Sequence, residues 1–186
     1  MNSLELYDCL ADCPVIAAVQ ESRLDDALAS PVGFIFLLGC NILSLKSCIE
    51  RAHTAGKRIF VHIDLSEGIG KDRAGTQFVH ECGADGIIST KASIIRFARE
   101  FGLVTVQRFF ALDSQGVNSI KEMIESSKPD LIEIMPGVAS KVIRQFSGKG
   151  TPVIAGGLIE SKGELTEALA SGAEAVSSGM EALWYM

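Results

Sequence analysis

The hydrophobic positions of the chain follow two spacings that alternate from one end to the other. Short runs rich in β-branched residues indicate buried strands, and apolar residues that then recur every three or four positions indicate amphipathic helices. Eight such runs predict strands at residues 15–19, 33–38, 58–64, 86–89, 104–108, 131–135, 153–155 and 175–178. Strands that alternate with helices favour a parallel sheet in an α/β protein.

A glycine ends several of the predicted helices just before the next strand, at Gly56, Gly83, Gly102 and Gly172. This repeated helix, glycine and strand order, with a period of about 20 to 27 residues, predicts a compact (β/α)8 barrel of the TIM type. An open doubly wound sheet is the alternative, because the strand order is not visible in the sequence. The length of 186 residues predicts a single domain over 1–186.

The charge balance restricts the partners of this protein. With 17 basic and 23 acidic residues the formal net charge is -6, which argues against a wholly electrostatic nucleic-acid binder. Recognition of single-stranded RNA by a few cations stays open. Two groups of cations are candidates, although neither is assigned as the RNA-contacting surface: Lys141, Arg144 and Lys149, and Lys46, Arg51, Lys57 and Arg58.

The cysteines, the histidines and the amino-terminal segment give no sign of disulfides, a zinc site or a signal peptide. The five cysteines are scattered and do not combine with the three histidines at zinc-site spacing, so we predict neither disulfides nor a structural zinc site. Cys9 and Cys13, four positions apart, are expected to be small buried hydrophobes. The amino terminus lacks a signal-peptide pattern and no apolar run is long enough to span a bilayer, which predicts a cytoplasmic protein without a membrane partner.

Polar residues gather at the carboxyl ends of the predicted strands, where barrel proteins place their functional groups. Alternation along the third and sixth strands directs His62, Asp64 and Glu133 inward, and for His62 we favour a hydrogen-bonded core imidazole. If Val104 and Val106 face outward, Gln107 also faces inward. The expected mouth of the barrel therefore contains Asp64, Lys91, Gln107, Arg108 and Glu133. Asp64 and Glu133 have three open roles: binding Mg²⁺, moving a proton or holding a ligand hydroxyl.

The loops after the last two strands suggest a phosphate site. Glycines allow backbone N–H groups to approach an anion and serine hydroxyls donate further hydrogen bonds. The predicted phosphate-binding residues are Gly156, Gly157, Ser177, Ser178 and Gly179. The loop after the third strand, with Glu67, Gly68, Gly70 and Lys71, fits either a mobile lid over the mouth or a plain connector.

Six segments together resemble the glycerol-3-phosphate-responsive antiterminator family, the glycerol uptake operon antiterminator regulators. They occur in the family's order, with similar gaps, over residues 15–184. The segments are PVIAAV (14–19), VHIDL (61–65), DGIISTK (85–91), QRFFALDS (107–114), EIMPG (133–137) and IAGGLI (154–159).

The resemblance implies a barrel without catalytic activity that binds glycerol 3-phosphate as its effector. It also implies action on the leader mRNA of glycerol-utilisation genes, where the protein prevents premature termination and stabilises the transcript. Carried over by position, the glycine and serine loops would bind the phosphate, and four mouth residues would surround the glycerol part: Asp64, Lys91, Arg108 and Glu133. Gly137, in the EIMPG segment, is a further expected mouth residue.

The chain departs from the family pattern at two places. Gln20 stands where the family has lysine, and Ser177-Ser178-Gly179 replaces a Ser-Thr-Ser-like run. The alternative function is an enzyme acting on a small phosphorylated metabolite, with Asp64, Lys91 or Glu133 transferring a proton. The sequence indicates no oligomeric state.

Overall fold

Eight parallel strands form a closed barrel in which each strand pairs with its neighbours in chain order. The computed structural model describes Leu10 and residues 13–111 and 113–186, so the expectation for Cys9 lies outside the described residues. The strands are β1 (Val15–Gln20), β2 (Phe34–Gly39), β3 (Arg58–His62), β4 (Gly86–Ser89), β5 (Val104–Phe110), β6 (Leu131–Met135), β7 (Val153–Gly156) and β8 (Ala175–Ser178). The predicted TIM-type barrel is confirmed, and the open-sheet alternative is wrong because β8 pairs with β1.

The helices surround the barrel. In the described part of the chain they are α1 (Leu24–Ala29), α2 (Leu45–Thr54), α3 (Arg73–Glu81), α4 (Ala92–Glu100), α5 (Ser114–Ser127), α6 (Ser140–Phe146) and α7 (Lys162–Ala170), with 3-10 turns at Glu21–Arg23, Ile63–Leu65 and Glu181–Tyr185. The glycines predicted to end helices all have positive φ angles, the left-handed backbone conformation that commonly follows the last turn of a helix: Gly56, Gly83, Gly102 and Gly172.

None of these helices is both long and apolar enough to cross a lipid bilayer.

The described residues form two separate apolar clusters. Side chains such as Phe36, Phe60 and Val106 pack inside the barrel, and a larger cluster that includes Ile132 and Ile134 packs between the strands and the helices. The alternation along each strand therefore decides which residues reach the mouth. Each inward position at a strand's carboxyl end faces the other strand ends across the barrel.

In one of the two cation groups expected from the sequence, every cation already contacts another residue of the protein. The Lys57 ammonium is buried and donates to the carbonyl oxygens of Ser30 and Val32, at 2.6 and 2.7 Å. Its burial lowers the pKa of Lys57. Lys57 is therefore a structural cation and is wrong as a candidate for RNA contact. The remaining cations of this group each have a carboxylate partner: Lys46 with Glu50, Arg51 with Asp25 and Arg58 with Asp85.

Candidate functional site

A buried ion pair stands at the mouth where β5 and β6 end side by side. Arg108 and Glu133 are register partners, and the Arg108 Nε atom donates to Glu133 Oε2 at 2.5 Å. Their side chains are only 7% and 1% exposed. The other oxygen, Glu133 Oε1, accepts a hydrogen bond from Ser177 Oγ at 2.6 Å. One carboxylate thus ties together the ends of β5, β6 and β8.

Gly156 at the end of β7 makes room for this carboxylate. A Cβ atom at position 156 would lie 2.4 Å from Glu133 Oε1 and 2.7 Å from Ser177 Oγ, too close for any side chain. The glycine expected to approach a phosphate is therefore also required by the ion pair. Its neighbour Gly157 takes a positive φ angle of 75°.

The Arg108 guanidinium has capacity left for a ligand. Among the described residues its one hydrogen bond runs from Nε to Glu133, so neither terminal amino group has a protein partner there. An arginine held through Nε presents its two terminal nitrogens in the planar arrangement that fits a phosphate or carboxylate. Arg108 is the cation of the mouth most suited to bind an anion.

The backbone after β7 presents N–H groups in one direction. The Gly137 N–H donates to the carbonyl oxygens of Gly156 and Gly157, at 2.6 and 3.0 Å. The C=O and N–H of a trans peptide point in opposite directions, so the N–H groups of Gly157 and Leu158 point away from Gly137. Leu158 also has a positive φ angle, 59°, and its N–H has no partner among the described residues. Successive N–H groups aligned in a turn are a favourable anion site.

The serine hydroxyls of the last loop are already engaged. Ser177 donates to Glu133, whereas Ser178 Oγ donates to the Ile159 carbonyl at 2.8 Å and accepts from the Met180 N–H at 3.1 Å. A hydroxyl has a single proton to donate. Both serines therefore brace the site, and the expectation that their hydroxyls donate to a phosphate is not met by this arrangement. Next to them, the Gly179 carbonyl accepts a hydrogen bond from Arg23.

Asp64 connects β3 to β4. Its Oδ1 accepts from Ser89 Oγ at 2.9 Å, and its Oδ2 accepts from the N–H and the hydroxyl of Thr90, at 2.7 and 2.9 Å. Lys91 follows directly, exposed, at the start of α4. Within the described residues no three His, Cys, Asp or Glu side chains come close enough to ligate one metal ion. Ser89 and Thr90 were missed as site residues, although their place in the DGIISTK segment marks the end of β4.

The loop after β3 is attached to the end of β2. The Glu67 N–H donates to the Cys40 carbonyl at 2.8 Å, the Ile42 N–H donates to the Glu67 carbonyl at 2.9 Å, and the Lys71 ammonium donates to the Ser66 carbonyl. Burial lowers the pKa of Lys71. The lid role of Glu67, Gly68, Gly70 and Lys71 stays a prediction, with these contacts as what an opening motion would have to break.

The expected orientation of Gln107 is wrong. Val104 and Val106 pack inside the barrel, so Gln107 faces the helix layer, fully buried, within 2.5 Å of the Ser127 hydroxyl at the end of α5. The sequence argument had reversed the two faces of β5, because valine suits the interior and the helix-facing surface equally well. The same reversal brings Arg108, whose direction the sequence left open, into the mouth.

His62 lies inside the barrel and is 3% exposed, but its Nδ1 atom has no hydrogen-bond partner among the described residues. The favoured interpretation as a hydrogen-bonded core imidazole is therefore wrong for this nitrogen. Burial, reinforced by the nearby Arg108 charge, lowers the pKa of His62 to about 4. The imidazole is neutral at pH 7.

We expect His62 to make the protein less stable in mild acid. The pKa falls from 6.5 in the unfolded chain to about 4 in the fold, so between these values the unfolded state binds the extra proton and acidification favours unfolding. The cost is about 3 kcal/mol when the pH falls from 7 to 4. Urea unfolding across this range measures it. His62→Gln, which does not titrate, should lose about 3 kcal/mol less than the wild type; equal losses in both proteins would contradict the assignment.

Apart from the site around Arg108, a hollow opens at the mouth beside β1, β2 and β3. Its volume is about 270 Å³, and its lining includes Gln20, Glu21, Asn41 and Glu67. Gln20 is the position where the family pattern has lysine. The hollow is thus lined by the carboxylates of Glu21 and Glu67, and this chain lacks the lysine that the family pattern has beside them. Of its polar residues, Glu21 and Asn41 had no signal in the sequence.

The fold and the mouth define a class: a TIM-type barrel whose polar groups converge where the strands end. Within that class, the family model "Glycerol-3-phosphate responsive antiterminator" matches residues 15–184. The chain belongs to the glycerol-3-phosphate responsive antiterminator family.

Individual relatives cover nearly the whole chain. It is 36% identical to the uncharacterised protein YgcP of Escherichia coli K12 over 97% of this chain and 96% of that protein. The glycerol uptake operon antiterminator regulatory protein of Listeria monocytogenes has a TM-score of 0.88 at 31% identity, covering 93% of this chain and 95% of that one. A glycerol uptake operon antiterminator-related protein of Thermotoga maritima has a TM-score of 0.84 at 37% identity, covering 92% and 98%. A deoxyribose phosphate aldolase from Aeropyrum pernix, 16% identical over 95% of this chain and 88% of that one, with a TM-score of 0.68, shares the fold alone.

Proposed function

We propose that this protein is a glycerol-3-phosphate sensor that binds the leader mRNA of glycerol-utilisation genes and prevents premature termination of their transcription. In this role it also stabilises the transcript and catalyses no reaction. Membership of the family supports the proposal in outline. We place its action in the cytoplasm, because a bacterial leader mRNA is transcribed there.

The observation that carries the effector part is the free edge of the Arg108 guanidinium at the mouth. Arg108 is held by Glu133, and Glu133 is in turn packed against Gly156 at the start of the turn with aligned N–H groups. A phosphate placed between Arg108 and the N–H groups of Gly157 and Leu158 would receive charge-assisted hydrogen bonds from two strand ends. Gly179 and the braced Ser177 and Ser178 would close the site on the β8 side.

The glycerol hydroxyls need acceptors and fixed neighbours. Asp64 and Glu133 each hold several protein donors, so their positions are set before a ligand arrives, and both retain free lone pairs for a hydroxyl. His62 Nδ1, buried and unpartnered within the described residues, is a further candidate. Lys91 and Gly137 lie at the rim. These contacts would distinguish glycerol 3-phosphate from inorganic phosphate.

Sensing requires that the effector favours one conformation over another. A phosphate on the terminal nitrogens of Arg108 would place a second anion on the guanidinium that Glu133 holds through Nε, and Glu133 in turn holds Ser177. Occupation of the mouth would therefore alter contacts among the ends of β5, β6 and β8. The loops and helices that follow these strands would transmit the change to the RNA-binding surface.

RNA selection from a randomised single-stranded pool, with and without glycerol 3-phosphate, tests the proposed function. We expect RNA to be retained in one effector state at least tenfold better than in the other. Retention that ignores glycerol 3-phosphate, or no retention in either state, would contradict the proposal. Glycerol and inorganic phosphate, added separately, are the controls for the effector.

A further inference from the structure

We propose that single-stranded RNA binds in the groove between α5 and α6, with its backbone on Lys121, Lys141 and Lys149. This inference rests on the proposed function, because it names the surface that would contact the RNA partner. We call it the α5–α6 groove.

The groove is a real depression in the helix layer. Two cavities, of about 320 and 210 Å³, lie one after the other between the two helices. The first is lined by the amino-terminal turns of both helices, including Val117 and Lys141, and the second continues past Lys121 to Lys149 beyond the end of α6. From Val117 to Glu125 the α5 wall extends about 12 Å. An extended chain has room along it.

The lysines of the groove are free for a ligand. Among the described residues no carboxylate lies within ion-pair distance of Lys121, Lys141 or Lys149. All three are exposed. In a protein of net charge -6, the segment between Glu133 and Glu160 contains Lys141, Arg144 and Lys149 and no Asp or Glu, and of these cations only Arg144 has an ion-pair partner among the described residues, Glu167. This positive region stands out against an acidic surface, which favours a polyanion here rather than elsewhere.

The alternative group of cations lacks these properties. Lys57 is buried against carbonyl oxygens, and Lys46, Arg51 and Arg58 face carboxylates. Two carboxylates also line the groove. One is Asp113, the N-cap of α5, whose carboxylate accepts a hydrogen bond from the Gly116 N–H at 2.7 Å. Glu125 is the other. Of the sequence candidates, the structure thus separates Lys141 and Lys149, which have no ion-pair partner among the described residues, from the others, since Arg144 pairs with Glu167.

An apolar component makes RNA a better fit than a simple anion. The side chains of Ile124, Ile132 and Phe146 form the floor of the lower cavity. At the upper end, Ala111 continues the lining. Apolar surface next to unpaired cations suits single-stranded RNA, whose bases are exposed and whose phosphates the lysines neutralise.

The position of the groove also connects it to the effector site. The α5 wall follows β5, which holds Arg108, and α6 follows β6, which holds Glu133. The Ala111 N–H donates to the Met135 carbonyl at 2.8 Å, joining the two strand ends at the top of the groove. A ligand that alters the Arg108–Glu133 contact would thereby act on both walls of the groove.

The test compares two triple variants of equal charge. Lys121→Gln/Lys141→Gln/Lys149→Gln removes the lysines of the groove, and Lys46→Gln/Arg96→Gln/Lys162→Gln removes three exposed cations from other helices. The probe is fluorescein-labelled RNA from the pool retained by the wild-type protein. We expect the groove variant to bind it at least tenfold more weakly, and the slope of log K against log salt to fall by about 2. The control variant should change neither quantity.

Glycerol 3-phosphate affinity, measured by calorimetry, should be unchanged in the groove variant, and circular dichroism confirms that it folds.

Each other outcome overturns the assignment in a recognisable way. If the groove variant and the control variant bind RNA equally, the groove is not the RNA site, although the proposed function stands. A loss of glycerol 3-phosphate affinity would place the lysines in the effector site instead. If the wild type retains no RNA but binds phosphatidylglycerol vesicles, the proposed function fails together with this surface.

Discussion

Replacing Glu133 with alanine should lower the free energy of unfolding by about 3–5 kcal/mol, the largest stability effect we expect for a residue at the mouth. The substitution leaves the Arg108 guanidinium, only 7% exposed, without its counter-ion. It also removes the acceptor of the Ser177 hydroxyl. Urea unfolding of the variant and the wild type at pH 7 measures the loss.

Two further variants separate the charge from the cavity. Arg108→Met/Glu133→Met removes both charges and should be more stable than Glu133→Ala, because no unpaired charge stays buried. Glu167→Ala breaks the exposed ion pair with Arg144, in which both side chains are 58% exposed, and should cost less than about 1 kcal/mol. A double variant as unstable as Glu133→Ala would contradict the role given to the buried charge.

Replacing Gly157 with aspartate should abolish most of the affinity for glycerol 3-phosphate. A carboxylate about 4 Å from the phosphate repels it by about 1–4 kcal/mol, depending on how far water screens the pair, which corresponds to about 5- to 1000-fold weaker binding. Isothermal titration calorimetry at pH 7 provides the comparison. The fold should be retained, since the added side chain meets only the flexible end of Met135.

Gly157→Asn is the matched control for this variant. Asparagine has nearly the shape of aspartate and tolerates the positive φ angle of this position equally well, but it bears no charge. We expect its affinity to stay within a few-fold of the wild type. Equal losses in the two variants would show that shape, and not charge, matters at position 157, and unchanged affinity in both would remove Gly157 from the phosphate site.

The architecture was predictable because it depends on patterns that repeat many times. Eight apolar runs and the glycines between helix and strand all indicate the same βα repeat. An error of one or two residues at a strand end therefore does not change the predicted fold. The third strand illustrates this. Its predicted end at residue 64 becomes a 3-10 turn at Ile63–Leu65, yet Asp64 still reaches the mouth.

The site was less predictable because it depends on single residues. Gln107 and Arg108 differ by one position, and the assignment of β5 faces rested on two valines that suit either side. Nothing local in the sequence showed that Glu133 would use both oxygens on Arg108 and Ser177, since these residues come from three different strands. Such contacts follow from closure of the barrel and not from spacing along the chain.

The cations show the same limit for surfaces. Along the chain, Lys57 and Lys149 are both lysines beside a glycine, and each belonged to a candidate group. The structure buries one against the carbonyl oxygens of Ser30 and Val32 and leaves the other exposed at the edge of a groove. Only the packing of distant segments distinguishes a structural cation from one that is free to bind a partner.

A phosphorus NMR time course of glycerol 3-phosphate mixed with the pure protein tests the central claim most directly, since one experiment reports both binding and conversion. We predict that the phosphate resonance broadens as protein is added and that no new resonance appears over hours, as expected for an effector site without catalysis. New phosphorus signals would identify an enzyme, and sharp lines unchanged at every protein concentration would show that glycerol 3-phosphate is not the ligand of this barrel.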